Sequence, residues 1–276
     1  MKTKPTTTGL VMSEADYSAV DALRASEVKS AARSTLAHLA HSMRQPREDT
    51  DAFRAGRALH CAVLRPADFV AEFVTAPKCD RRTKDGKAMY DAVLAGAGGR
   101  DVLDEVTSRV NDGMAVSIAE HPSAAAALAM CSIREQVFLG EIAGVPAKCR
   151  IDALSTDGTI LVDVKTSMSA SPRAFARSCV EYGYALQFAF YRAILRQNGY
   201  AVDDCMIVAV EKSSPYLVAC YRLPEETLDR AHAVVVRVVG EIERARETGV
   251  WSGYSDGVVD INLPPWAFTD EQEIAS

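Results

Sequence analysis

The sequence predicts an α/β domain: a mixed central sheet flanked by helices and preceded by a helical region. Three observations predict it. Apolar positions recur at helical spacing through the first half of the chain and again after residue 224. Short β-rich runs cluster between Ile133 and Leu223. Between those runs, Ser171-Pro172 opens a helical stretch that would carry the chain from one strand to the next, as a crossover in a mixed sheet does. The 276 residues suffice for one large domain. We read residues 1–12 as disordered and residues 13–276 as a single unit. That unit has a helical part (13–131), a core (132–223) and a C-terminal helix and tail (224–276).

In the helical part, Val28, Ala32, Leu36 and Leu39 predict one helix over 26–43 with Ser26 as its N-cap. A polar connection at 44–51 leads to a helix at about 52–64, with Phe53, Leu59 and Val63 on its apolar face. His60 lies on this helix between Leu59 and Cys61, where a packed histidine is the commoner reading. Residues 75–88 form a basic loop around Asp85-Gly86. Its Arg81, Arg82 and Lys84 suit either a solvated surface or contacts to phosphate. Helices follow at 87–96, 103–119 and 123–131.

In the core, residues 135–139 and 146–151 flank a turn at 140–144. With Ile160–Lys165 they predict three consecutive antiparallel strands. Helical sequence runs over 172–197 with a break at Gly183 and a cap at Gly199. Gln187 and Tyr191, four apart, share one face of it, and Leu186, Phe190 and Ile194 line the neighbouring face. Strands are predicted at 205–210 and 216–223, and a long charged helix at 225–248. Residues 251–268, with Trp251, Tyr254 and Trp266, are expected to pack across the surface.

Composition narrows the function classes. No apolar run is long enough to span a membrane, and the N-terminus has no apolar segment of the signal-peptide kind, so a cytoplasmic protein is expected. The seven cysteines form no Cys-x-x-Cys pair, which argues against a disulfide framework and against zinc or iron–sulfur sites. Cys61, Cys149 and Cys205 read as small core residues. The formal net charge of −6 argues against a general nucleic-acid coat but not against a local basic channel. From Glu225 onward acids outnumber Lys and Arg by eleven to four, so a polyanion belongs nearer the basic loop than the C-terminus.

The chemistry-bearing stretch is residues 148–165. Strand side chains alternate faces, so Asp163 and Lys165 share one face and Val162 and Val164 take the other. An Asp157-Gly158 turn would fold this run back along the one ending in Asp152, bringing the two aspartates towards each other. Two carboxylates beside a lysine suit a hard divalent cation. A surface salt bridge accounts equally for an Asp-Val-Lys tripeptide taken alone.

Asp152, ten residues, then Asp163-Val164-Lys165 resembles the PD-(D/E)xK nuclease signature. Gln187 and Tyr191 resemble the Gln-x-x-x-Tyr motif of its RecB-like branch, and His60 the upstream histidine of that branch. The ordered set is similar to the nuclease domain of exodeoxyribonuclease VIII (RecE) and related phage-type exonucleases. Met12–Tyr17, Arg81–Lys87, Trp251–Tyr254 and Leu263–Trp266 add to the likeness, which covers almost the whole chain. Ile151 stands where the signature has proline, and Asp163 where glutamate is more usual.

The resemblance implies a restriction-endonuclease-like core and a Mg²⁺- or Mn²⁺-dependent exodeoxyribonuclease. It implies metal ligation by His60, Asp152, Asp163 and the Val164 backbone carbonyl, with Glu135 as a further candidate. Lys165, Asp163 and Asp152 would be catalytic. Gln187, Tyr191, Arg81, Arg82 and Lys84 would hold the site or the DNA. It implies action on double-stranded DNA ends, 5′ to 3′, in recombination. A ring-like homo-oligomer and a single-strand annealing (RecT-like) partner would go with that activity. The alternatives are an endonuclease or single-strand nuclease of the same fold, and an inactive DNA-binding scaffold.

Overall fold

The computed structural model describes residues 9–45 and 48–264. Leu10 pairs with Val137 in an antiparallel bridge. Residues 1–8 lie outside the described residues, as do 265–276 with Trp266. Helix α1 (Glu14–Ala19) is capped by Ser13, whose hydroxyl accepts the Asp16 N–H. The two-residue strand β1 (Leu23–Arg24) leads into α2 (Ala25–Arg33), and α3 (Leu36–Arg44) follows. The single helix expected over 26–43 is therefore two. Thr35 breaks it by capping α3, its hydroxyl accepting the His38 N–H, and Arg24 rather than Ser26 stands at the start of α2.

Helix α4 (Asp51–Leu64) buries Ala58, Leu59, Cys61 and Leu64. Phe53, expected on its apolar face, is exposed instead. A 3₁₀ turn at Pro66–Asp68 and the short α5 (Phe69–Glu72) lead to β2 (Phe73–Ala76). After the basic segment come α6 (Lys84–Gly96) and β3 (Asp101–Asp104), which pairs parallel with β2. Asp85 and Gly86 are thus in the first turn of a helix, not at the tip of a loop. Helices α7 (Glu105–Glu120) and α8 (Pro122–Ala129) complete the helical part, with Pro122 in the first turn of α8.

The core strands are β4 (Cys131–Arg134), β5 (Val137–Ile142), β6 (Val145–Arg150), β7 (Ala153–Ser155) and β8 (Ile160–Ser167). Two helices follow, α9 (Pro172–Glu181) and α10 (Tyr184–Gln197). Then come β9 (Asp204–Glu211), β10 (Val218–Arg222) and α11 (Glu225–Thr248). The main sheet has five strands in the order β10-β9-β8-β7-β4. Only the β8–β9 pair is parallel, joined through α9 and α10. This is the expected mixed sheet with a helical crossover.

The three-strand meander is not formed. The β5–β6 hairpin, turned by Ala143 and Gly144 at positive φ, belongs to a separate three-stranded sheet in which β6 pairs with β1. The chain leaves that sheet at Ile151-Asp152 and enters the main one at β7. Gly158 (φ +74) then turns β7 back into β8, as the Asp-Gly pair predicts.

Apolar residues fill both faces of the main sheet. Leu161, Cys205, Ile207 and Ala209 face α2, α10 and α11, packing with Phe188, Phe190, Val235 and Val239. Val162, Val164, Val208 and Val210 face α7 and α8, packing with Met114, Ile118 and Leu128. Lys148 is buried with no ion pair among the described residues and donates to the carbonyls of Tyr17 (2.6 Å) and Val20, beneath the Tyr17 ring. A buried ammonium needs such acceptors, so this lysine fastens the N-terminal segment to β6. Trp251 packs against the main core, and Tyr254 meets His38 edge-on. No helix among the described residues is long and apolar enough to cross a membrane.

Candidate active site

Four elements converge where the two larger sheets meet. Helix α4 supplies His60, the β4–β5 bend supplies Glu135, the β6–β7 bend supplies Asp152, and β8 supplies Asp163 and Lys165. His60 Nδ1 lies 3.5 Å from Asp152 Oδ1 and 3.8 Å from Glu135 Oε1. Ligand atoms of His60, Glu135 and Asp152 all fall within 4.8 Å of one another, a spacing a single metal ion can bridge. Asp152 is held from behind, because the Val164 N–H donates to its Oδ2 at 2.8 Å.

Glu135 is placed by unusual backbone. It adopts φ +52, a left-handed conformation rare for a residue with a Cβ, and its N–H donates to the Asp152 carbonyl at 3.0 Å. Such strain costs about 1–3 kcal/mol and collects at functional sites. Glu135→Gly removes the carboxylate and the strain together. We expect Mn²⁺ affinity to fall by about tenfold, while the metal-free protein melts no lower than wild type. Titration calorimetry and thermal melts check the two halves.

Asp163 stands apart from the His60 group. It is almost fully buried and forms an ion pair with Lys165 through Oδ2, while Gln187 Nε2 donates to its Oδ1 at 2.7 Å. Oδ2 accepts no hydrogen bond of normal geometry. The Lys165 ammonium lies over the Tyr184 ring, 5.3 Å from its centroid. Tyr191, one turn after Gln187, packs against the core, and burial pushes its hydroxyl pKa well up.

The electrostatics separate the groups. Burial works against the imidazolium of His60, but Asp152 and Glu135 outweigh it and push the pKa up to about 10. Burial also opposes charge on Asp152, yet His60, Lys165 and the Val164 N–H hold its carboxyl below the usual range. Burial and the neighbouring Asp152 push Asp163 up, against the pull of Lys165. Burial disfavours the Lys165 ammonium, but Asp163 and Asp152 more than compensate and keep it charged. His60 and Lys165 both bring positive charge to these carboxylates.

The donor set fits a divalent cation. It offers carboxylate oxygens with one imidazole nitrogen, a mixture that Mg²⁺ and especially Mn²⁺ accept. The buried Asp163 Oδ2, paired with the Lys165 ammonium, is a further carboxylate oxygen beside them.

The sequence matches the PDDEXK-like domain of unknown function (DUF3799) over residues 22–261. The chain belongs to that family. Among solved structures, the PDDEXK-like chain is similar to a candidate exonuclease from Eubacterium rectale. The two share 15% identity and a TM-score of 0.63, over 95% of this chain and 100% of that one. That likeness shows a common fold. A phage-related exonuclease from Haemophilus somnus 129PT aligns at 10% identity and a TM-score of 0.34, over 83% of this chain and 96% of that one, too low to support more. No curated protein matches.

The fold thus brings His60, Glu135, Asp152, Asp163, Lys165, Gln187 and Tyr191 into one region of the PDDEXK-like domain, with the Val164 backbone against Asp152. The basic segment is ordered differently from a free loop. Arg82 pairs with Asp80 (3.0 Å), Arg81 stacks over Tyr90 (4.6 Å to the ring centroid), and Lys84 opens α6. Sequence reasoning missed two residues at the site. Tyr184 lies beneath Lys165, and Lys29 of α2 donates to Gln187 Oε1 at 2.9 Å. Lys29 sits next to a core valine on an amphipathic helix, where no spacing marks it.

Proposed function

We propose that the protein is a divalent-metal-dependent DNA exonuclease acting on the ends of linear duplex. The observation that carries this reading is the convergence of His60, Glu135 and Asp152 beside the Asp163–Lys165 pair, in a PDDEXK-like chain. The exonucleolytic sense is taken from a structurally similar chain described as a candidate exonuclease. Polarity from 5′ to 3′, a role in recombination, a ring-like oligomer and a single-strand annealing partner rest on the resemblance to exodeoxyribonuclease VIII alone.

Phosphodiester hydrolysis needs a water aimed in line with the leaving oxygen and stabilisation of the charge that builds on phosphorus. His60, Glu135 and Asp152 would hold Mg²⁺ or Mn²⁺, with Asp163 as a further candidate oxygen ligand. A divalent cation there would lower the pKa of a bound water and offset the developing charge. Lys165, paired with Asp163, would position the water or donate to a phosphoryl oxygen. Gln187 holds Asp163, and Tyr191 packs the helix that carries Gln187. His60 must lose its proton to bind metal, so Mn²⁺ affinity should rise with pH up to about 10.

The test is an end-labelled linear duplex followed in time with Mg²⁺, with and without EDTA, beside covalently closed circular duplex. Loss of label from the linear substrate alone, abolished by EDTA, is the expected result. Cutting of the closed circle would establish the endonuclease reading, and no cutting of either would remove the proposal.

Arg81, Arg82 and Lys84 are proposed to contact phosphate. Replacing all three should lower the slope of log affinity against log salt by about one for each phosphate that is no longer neutralised. An unchanged slope would make the segment a solvated surface.

A further inference from the structure

Asp163 is gripped from two sides, by Lys165 at Oδ2 and by Gln187 at Oδ1. An amide can offer a neighbour either its oxygen or its NH₂, and only the NH₂ end attracts a carboxylate. Nothing in Gln187 itself decides between the two. Asp163 draws the NH₂, and Lys29, whose ammonium has donors and no acceptor, donates to Gln187 Oε1 at 2.9 Å and so holds the oxygen turned away from the carboxylate. With the oxygen committed to Lys29, the NH₂ is left facing Asp163.

The arrangement is built from distant parts of the chain. Lys29 follows Val28, which is buried in the main core beside α10. Its stem lies along Gly183, where a Cβ would come within 3.2 Å of the Lys29 Cγ and Cδ. Gly183 (φ +63) is the N-cap residue of α10, the helix that carries Gln187. One junction therefore sets both the start of the helix and the line of the lysine stem. A structural lysine in such a place ordinarily carries a carboxylate, because burying an unpaired cation is costly. Lys29 has no ion pair among the described residues, and burial with nearby Lys165 pushes its pKa down to about 8.

We infer that Lys29 is a positioning residue of the active site: it locks the Gln187 amide so that its NH₂ holds Asp163 and fixes where that carboxylate presents its second oxygen. The kinetic part of the inference rests on the nuclease reading, and the structural part does not.

Three readouts on the full chain test it. They are the Gln187 side-chain amide resonance, assigned by its loss in Gln187→Glu, Mn²⁺ affinity by calorimetry, and kcat against KM on linear duplex. Lys29→Gln substitutes a group that can donate or accept and so no longer sets the flip. We expect it to move or broaden the Gln187 resonance and weaken Mn²⁺ binding. It should lower kcat by about tenfold, the scale of one hydrogen bond to a charged group, with KM within about twofold. Lys29→Arg keeps donors only and should restore all three readouts to near wild type. If Lys29→Gln does not fold, Lys29→Met keeps the stem without donors and is expected to give the same pattern.

An unmoved Gln187 resonance with unchanged Mn²⁺ affinity overturns the inference. A raised KM with unchanged kcat also overturns it, since Lys29 would then be a DNA contact. If the wild-type chain cleaves no DNA, the nuclease reading fails, while the resonance and the Mn²⁺ titration still decide the role of Lys29.

Discussion

Asp152→Asn is expected to reduce cleavage by at least about a hundredfold, the loss typical of removing one strong electrostatic contact from a catalytic centre, with the fold retained. Asparagine preserves the size of the side chain and an oxygen for the Val164 N–H, so the β6–β7 bend keeps its anchor. What disappears is one negative charge among His60, Glu135 and Asp163. Mn²⁺ affinity should fall with it, and calorimetry beside a single-turnover assay reads both.

The same variant has a pH signature in the metal-free protein. The folded-state pKa of His60, about 10, lies above the ordinary 6.5. Its contribution to stability is therefore fully present below pH 6.5 and is lost as the pH rises through about 10. Asp152 is the largest attractive partner behind that shift. In Asp152→Asn the loss of stability between pH 6.5 and 10 should shrink markedly in denaturant titrations. An identical pH profile would mean that His60 and Asp152 do not interact as described. Near wild-type cleavage would remove Asp152 from the site. Asp163→Ala is a poorer probe. Asp163 is buried against Lys165 rather than exposed, and its removal would leave the part-buried Lys165 ammonium without its partner and destabilise the fold.

Much of this was legible in the sequence, and the boundary has physical causes. The apolar run at Ile160–Val164 has a strong signal because both faces of β8 are packed, and strand alternation places Asp163 and Lys165 on one side, where they pair. Gly183 marks the α9–α10 break because a left-handed backbone there favours glycine. The split of the meander could not be read. It depends on β6 pairing with the two-residue strand β1, too short to show any period, across more than a hundred positions. Nor could the placement of Glu135, since no glycine or asparagine announces its positive φ. The apolar spacing carried straight across Thr35, where a side-chain cap ends one helix and starts another. Lys29 was invisible for a simpler reason: its partner is on α10, and local pattern holds no information about it.

Lys165→Ala is expected to lower the cleavage rate by at least about a hundredfold while leaving DNA and metal binding in place. The ammonium is charged, lies over Tyr184 and pairs with Asp163 Oδ2. In the metal-free protein it thus occupies the carboxylate oxygen that a cation would use. Removing it frees that oxygen and takes away a positive neighbour, so Mn²⁺ affinity should hold or rise. The rate should nonetheless collapse, because no other cation among the described residues contacts Asp163 at that position. Lys165→Met, which keeps the stem over Tyr184, should behave alike and so exclude a packing effect. Titration of Mn²⁺ beside single-turnover cleavage separates the outcomes. If metal binding is lost with the lysine, its work is to hold Asp163 in place. If cleavage survives without it, transition-state charge is met elsewhere and β8 loses its assigned part in the chemistry.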